Sequence, residues 1–185
     1  RREALGQAAD EADRILASFS PMIDIARAEA GMARDQFADV DLVDVVRDIY
    51  ELHQPLADDM GVRLSFAGDA PVTVKGHAQF LAQLVSNLVD NALKHGAQGK
   101  AIEMSVEAKD GAAELVVADH GPGIPADQTE AALKRFGRLD ASRTTPGSGL
   151  GLSVAATLAR MHDGRLGLGD SQPGLRVRVK LPLAS

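Results

Sequence analysis

A chain of 185 residues and 19.4 kDa is long enough for one ordinary domain with a buried core, with room for a helical appendage. The absence of cysteine excludes disulfides and thiolate metal sites, and an aromatic content of 3% requires an aliphatic, Ala-rich core. A net charge of −6 argues against a broad nucleic-acid-binding face, which needs surplus Lys and Arg, but not against one small anionic ligand held by local donors. No apolar run approaches the roughly 20 residues of a membrane helix, and no signal peptide is visible. The first residue is Arg1, so the expectation is a trimmed piece of a longer protein acting in a reducing compartment.

Residues 1–31 read as one long helix. Leu5, Ala8, Ala12, Ile15, Phe19, Met22 and Ala26 fall at alternating spacings of three and four, a seam that suits a partner helix or the helix's own domain. Pro21 should kink it and Gly31 end it. A composition shift near Gly31–Asp39 marks the only credible boundary, with 32–40 as linker. Asp41 to Met60 form a second amphipathic helix stopped by Gly61, and His53 is read as one of its surface residues. Two short strands follow, Val62–Phe66 and Val72–Val74, then a helix from about Gly76 to His95. Strands Ile102–Ala108 and Ala113–Ala118 are joined by the turn Lys109-Asp110-Gly111. A short helix near Asp127–Arg135 interrupts a Gly-, Pro-, Ser- and Thr-rich stretch; a further helix ends at Met161. Arg165–Leu168 and Leu175–Leu181 close the chain as a hairpin. Helices and strands mix without regular alternation, which predicts α+β with helices on one face of a sheet.

Three polar constellations stand out. Asn87, Asn91, Lys94 and His95 share one strip of a helix; amide oxygens there suit a hard cation and Lys94 suits phosphate, although a solvated face has the same look. Asp119-His120-Gly121-Pro122-Gly123-Ile124 follows an apolar strand, where an Asp accepts from an exocyclic amine and glycines admit a planar ring; a plain turn uses the same residues. Gly147-Ser148-Gly149-Leu150-Gly151-Leu152 leads into a helix and offers backbone amides for a phosphate. It lacks the Gly-Lys-Ser/Thr of a Walker loop and does not follow a strand as a dinucleotide fingerprint does.

In order and spacing these motifs resemble those of sensor histidine kinases. Asn87-Leu-Val-Asp-Asn91-Ala-Leu-Lys94-His95 resembles their N box, Asp119 to Ile124 their G1 box, Arg135-Phe136-Gly-Arg138-Leu-Asp140 their F box, and Gly147 to Leu152 their G2 box. Met161-His-Asp-Gly164 and Leu181-Pro182 fit the last hairpin, and Arg27-Ala-Glu29-Ala-Gly31 resembles the end of the second dimerisation helix.

The resemblance implies a two-layer α/β sandwich, a mixed sheet covered by helices on one face, shared with gyrase, the Hsp90 chaperones and MutL. It would span 41–185, after one long helix of a dimerisation hairpin at 1–31. By that likeness Asp119 binds the adenine amino group with Gly121, Gly123 and Ile124 beside the ring. Asn91 carries Mg²⁺, and Asn87, Lys94 and His95 lie near the phosphates of ATP, with Asn87 and Lys94 as catalytic candidates. Gly147, Ser148, Gly149, Leu150, Gly151 and Leu152 wrap the phosphates under a mobile lid whose cations are Arg138 and Arg143. Phe136 serves either the F box or the core. Hydrolytic relatives carry a Glu where this chain has Asn87, and an amide cannot act as a general base, which favours transfer to a side chain over hydrolysis.

No histidine here lies in the His-Glu/Asp-x-x-x-Pro setting of a phosphoacceptor. The expectation is therefore kinase machinery without its substrate histidine. The intact protein would be a cytoplasmic or membrane-anchored homodimer built through the N-terminal helix, with a response regulator or phosphotransfer protein as partner. No nucleic acid, and no membrane contact by this stretch, is expected. A catalytically silent nucleotide-binding scaffold and an anti-sigma-type serine kinase are the alternatives; intact boxes count against the first and the N-terminal seam against the second.

Overall fold

The computed structural model describes residues 34–68, 70–132 and 151–184. The expected helix over 1–31 and its seam, Arg135, Phe136, Arg138, Arg143 and the glycine-rich run through Leu150 lie outside the described residues.

A short 3-10 turn at Arg34–Gln36 leads into β1, Ala38–Asp41, which the sequence reading places mostly in a linker. It pairs antiparallel with β3, Thr73–Gly76, from Ala38 opposite Gly76 to Asp41 opposite Thr73. Asp41 then caps α1, Leu42–Asp59: its Oδ1 accepts from the N–H of Val43 at 2.9 Å and from that of Val72 at 3.1 Å. One carboxylate thus satisfies a helix end and ties it to the approach of β3. The helix buries Leu42, Val43, Val46, Ile49, His53 and Ala57. His53 is consequently not a surface residue. It follows Ile49 by four and precedes Ala57 by four, which places it on the inward stripe.

The main sheet has five strands in the order β2-β4-β5-β7-β6. These are β2 (Arg63–Ala67), β4 (Ala101–Lys109), β5 (Ala112–Asp119), β6 (Arg165–Asp170) and β7 (Leu175–Pro182). The β2–β4 pair is parallel and the rest antiparallel, so the sheet is mixed, as expected. The β4–β5 connection turns at Asp110 and Gly111, both with positive φ, in the manner of a tight hairpin.

Two helices complete the layer over the sheet: α2, Ala78–Gly96, and α3, Gly151–Met161. Along each strand alternate residues turn inward. Ile102, Met104, Leu115, Val117, Val177 and Val179 meet Leu84, Val85 and Leu88 of α2 and Leu158 of α3 in one aliphatic core. The opposite face of the sheet carries mostly charged side chains, among them Glu103, Arg176 and Arg178.

Candidate functional site

The site lies where α2 ends, β5 ends and α3 begins. Asp119 is the last residue of β5 and is only 4% exposed. Its Oδ1 accepts from the N–H of Gly121 at 2.9 Å and from that of Leu175 at 3.2 Å. Two backbone donors therefore orient the carboxylate through one oxygen and leave Oδ2 outside both bonds.

Close approach by glycines makes this seat. A Cβ on Gly96, at the end of α2, would overlap the Asp119 side chain, and one on Gly174 would overlap its carbonyl. Gly121 rests on Gly96, where an added Cβ would come within 2.6 Å of the Gly96 Cα. Gly123 has φ of 70° and sits against the Gly174 carbonyl. Gly96 and Gly174 are absent from the sequence reading of the site. The signal for Gly96 was its position directly after Lys94-His95; Gly174 is brought in only by β5–β7 pairing. Ile124 is half-buried beside the core.

The polar strip of α2 lies alongside. Asn87 and Asn91 are half-buried, whereas Lys94 and His95 are exposed in its last turn. The Asn87 Nδ2 donates to the carbonyl of Gln83 at 2.9 Å, which fixes the amide orientation. Gly151, the first residue of α3, lies against it: a Cβ there would be 3.7 Å from the Asn87 carbonyl oxygen and 3.9 Å from Oδ1. The described start of this eleven-residue helix thus lies beside the first asparagine, at the end whose helix dipole favours an anion. Leu152 is buried in the core and anchors that helix end.

Among the described residues no cluster of three or more His, Asp or Glu side chains is placed to hold a metal. Asn91 offers a half-buried amide oxygen, a donor type that a hard, water-retaining cation such as Mg²⁺ accepts.

Two histidine arrangements support the site from behind. The N–H of His77, at the start of α2, donates to Nε2 of buried His162 at 3.1 Å, so the proton of His162 sits on Nδ1 and is donated to the Leu158 carbonyl at 2.7 Å. The ring also stacks on Phe37 with centroids 4.9 Å apart. His53 bridges α1 to α2, with Nδ1 at 2.8 Å from the Ile49 carbonyl and Nε2 at 3.1 Å from Asp90 Oδ1.

A mixed sheet backed by helices, with an oriented acid at a strand end and the start of a helix beside Asn87, defines a nucleotide-binding domain of the two-layer kind. The chain belongs to the histidine kinase-, DNA gyrase B-, and HSP90-like ATPase family, whose model matches residues 76–185. Within it the similarity is to sensor kinases of two-component systems. The chain is 33% identical to the sensor protein kinase PmrB of Pseudomonas aeruginosa over 178 residues, covering 95% of this chain and 37% of that protein. It is 34% identical to the signal transduction histidine-protein kinase/phosphatase MprB of Mycolicibacterium smegmatis over 167 residues, covering 87% of this chain and 33% of that protein. Among solved structures, full-length ShkA in complex with AMPPNP superposes with a TM-score of 0.84 at 26% identity, covering 100% of this chain and 39% of that one. The chain therefore spans about a third of the length of these curated relatives. Among the described residues no helix is long and apolar enough to cross a membrane.

Proposed function

We propose that this chain binds Mg²⁺-ATP and serves as the kinase module of a two-component sensor, passing the γ-phosphoryl group to a histidine of a helical hairpin. The observation that carries the reading is Asn87 beside the N-terminus of α3, where a water-activating relative would hold a carboxylate. An amide there neither titrates nor activates water, so the site supports transfer to a nucleophile that is already good.

In this reading Asp119 accepts from the adenine amino group through Oδ2, with Gly121, Gly123 and Ile124 against the ring. Asn91 supplies an oxygen to Mg²⁺, which neutralises phosphate charge when bound. Asn87, Lys94 and His95 border the phosphates, and the first N–H groups of α3 receive them. Gly147, Ser148, Gly149 and Leu150 continue the cradle, and Arg138 and Arg143 supply lid charge. An imidazole nitrogen then attacks the γ-phosphorus as the bond to the ADP oxygen breaks. The domain's work is alignment and charge stabilisation. Residues 1–31 act as the second hairpin helix and dimerise the protein. A response regulator or phosphotransfer protein receives the phosphoryl group on the cytoplasmic side.

The test supplies a hairpin carrying a His-Glu-x-x-x-Pro box in trans, with radiolabelled ATP and Mg²⁺. Acid-labile, base-stable label on the hairpin is the expected result. Acid-stable label would point to a serine kinase, and nucleotide binding without any transfer to a silent scaffold.

A further inference from the structure

The open face of the sheet concentrates positive charge at one end of an acidic chain. On β7, Arg176, Arg178 and Lys180 all point away from the core, and on β6 Arg165 lies opposite Lys180. Gly167 and Gly169 stand opposite Arg178 and Arg176, and no atom lies within 4 Å of where a Gly167 Cβ would be. Missing side chains on one strand and long cationic ones on the next leave a trough of about 440 Å³. Glu114 of β5 takes up part of the charge, meeting Arg178 Nε and Lys180 Nζ at 3.1 Å each. Asp170 also lines the trough, but among the described residues no ion pair engages Arg165 or Arg176.

We propose that this trough docks an extended acidic segment of a partner protein. Successive cations on β7 recur every second residue, about 7 Å apart at the rise of a strand, and an extended peptide with an acid at every second position has the same period. A compact polyanion bunches its charges and meets only neighbouring pairs of these cations. The face presents no aromatic ring on which bases would stack, which disfavours single-stranded nucleic acid. Its apolar content is slight, a half-buried Val116 opposite Arg178, while Leu166 and Leu168 pack against the core, which disfavours insertion into a bilayer. Glu114 shows the chemistry: a carboxylate already sits between two of the cations. Arg176 directly follows Leu175, whose N–H holds Asp119, so the docked segment lies one residue from the nucleotide acid's support.

The test is fluorescence anisotropy with the 185-residue chain and a labelled octapeptide alternating Glu and Thr. An isomer with its four Glu contiguous, tripolyphosphate, single-stranded oligo-dT and phosphatidylserine vesicles serve as competitors. The alternating peptide is expected to bind best. Binding should weaken about tenfold in the Arg165→Ala/Arg176→Ala double variant, two surface charge pairs' worth, and further in Arg176→Glu. Both variants change exposed side chains, so unaltered thermal unfolding confirms that they fold. The proposal is overturned by absence of peptide binding, by equal binding of the contiguous isomer, by variants that bind as well as the parent, or by stronger competition from any of the other three polyanions.

Discussion

The Oδ1 atom of Asp119 accepts from the backbone N–H of Leu175, 56 residues further along the chain, at 3.2 Å. The acid at the end of β5 is therefore held by the beginning of β7 as well as by its own turn through Gly121. Asp119→Asn retains an oxygen for these two donors but presents an amide N–H where the carboxylate had a free acceptor. Its stability should stay close to that of the parent while discrimination of adenine from guanine nucleotides falls. Asp119→Ala strands both buried donors, at a cost of about 1–3 kcal/mol each. Urea unfolding and nucleotide titration of the two variants separate the roles; equal loss of stability in both would refute the division.

Gly96 is the second support of that acid. A Cβ added there would overlap the Asp119 Cβ, which is tethered to the backbone and cannot swing away. Gly96→Ala should cost about 1–3 kcal/mol, in the range of overpacked cores, despite the better helix propensity of alanine. At temperatures where it remains folded, nucleotide affinity should fall because Asp119 is displaced. A variant as stable as the parent, with unchanged affinity, would show that the contact yields at no cost.

Glu114 provides a pH-dependent element. Burial pushes its carboxyl up, but the hydrogen bond from Lys180 and the charges of Arg178, Lys180 and Lys109 outweigh that effect and hold it below the ordinary value of 4.5. A carboxyl depressed in the folded state contributes stability that is fully present above 4.5 and is lost as pH falls through the folded value. Glu114→Gln should thus be about 1–2 kcal/mol less stable than the parent at neutral pH, because the negative charge is lost and one of the two partly exposed cations loses its acceptor. The gap should close as the solution is taken below the folded value. Urea midpoints along a pH series measure it, and a gap independent of pH would rule out the ion pair as its source.

Much of this was legible along the chain, and what was not has identifiable physical causes. The turn at Asp110-Gly111 announces itself because both positions need positive φ. The inward stripe of α1 also shows in the sequence, yet His53 reads as a surface residue because a polar ring beside Gln54-Pro55 suggests solvent; the Ile49 carbonyl and Asp90, 37 residues away, make its burial tenable. β1 is four residues with a half-buried Val40 as its main apolar side chain, too little alternation to stand alone, and it exists through pairing with β3. The motifs marked Asp119 and its two glycines, whereas Gly96 and Gly174 acquire their roles from helix ending and strand pairing. Local patterns do not record such approaches.

Asn91 offers the sharpest test of the metal expectation. It is half-buried on α2, one helical turn beyond Asn87, and alanine is the best helix former, so Asn91→Ala should unfold within about 0.5 kcal/mol of the parent. In the proposed reading the Asn91 amide oxygen is the protein's contribution to the Mg²⁺ shell, and phosphates and water would complete it. Calorimetric titration with ATP, in the presence of Mg²⁺ and again with a chelator, should show a large difference for the parent and almost none for Asn91→Ala. Asn91→Asp restores an oxygen at the same reach and should recover the Mg²⁺ dependence, which a merely structural role for the amide would not predict. Persistence of the full Mg²⁺ effect in Asn91→Ala would move the metal ligand elsewhere.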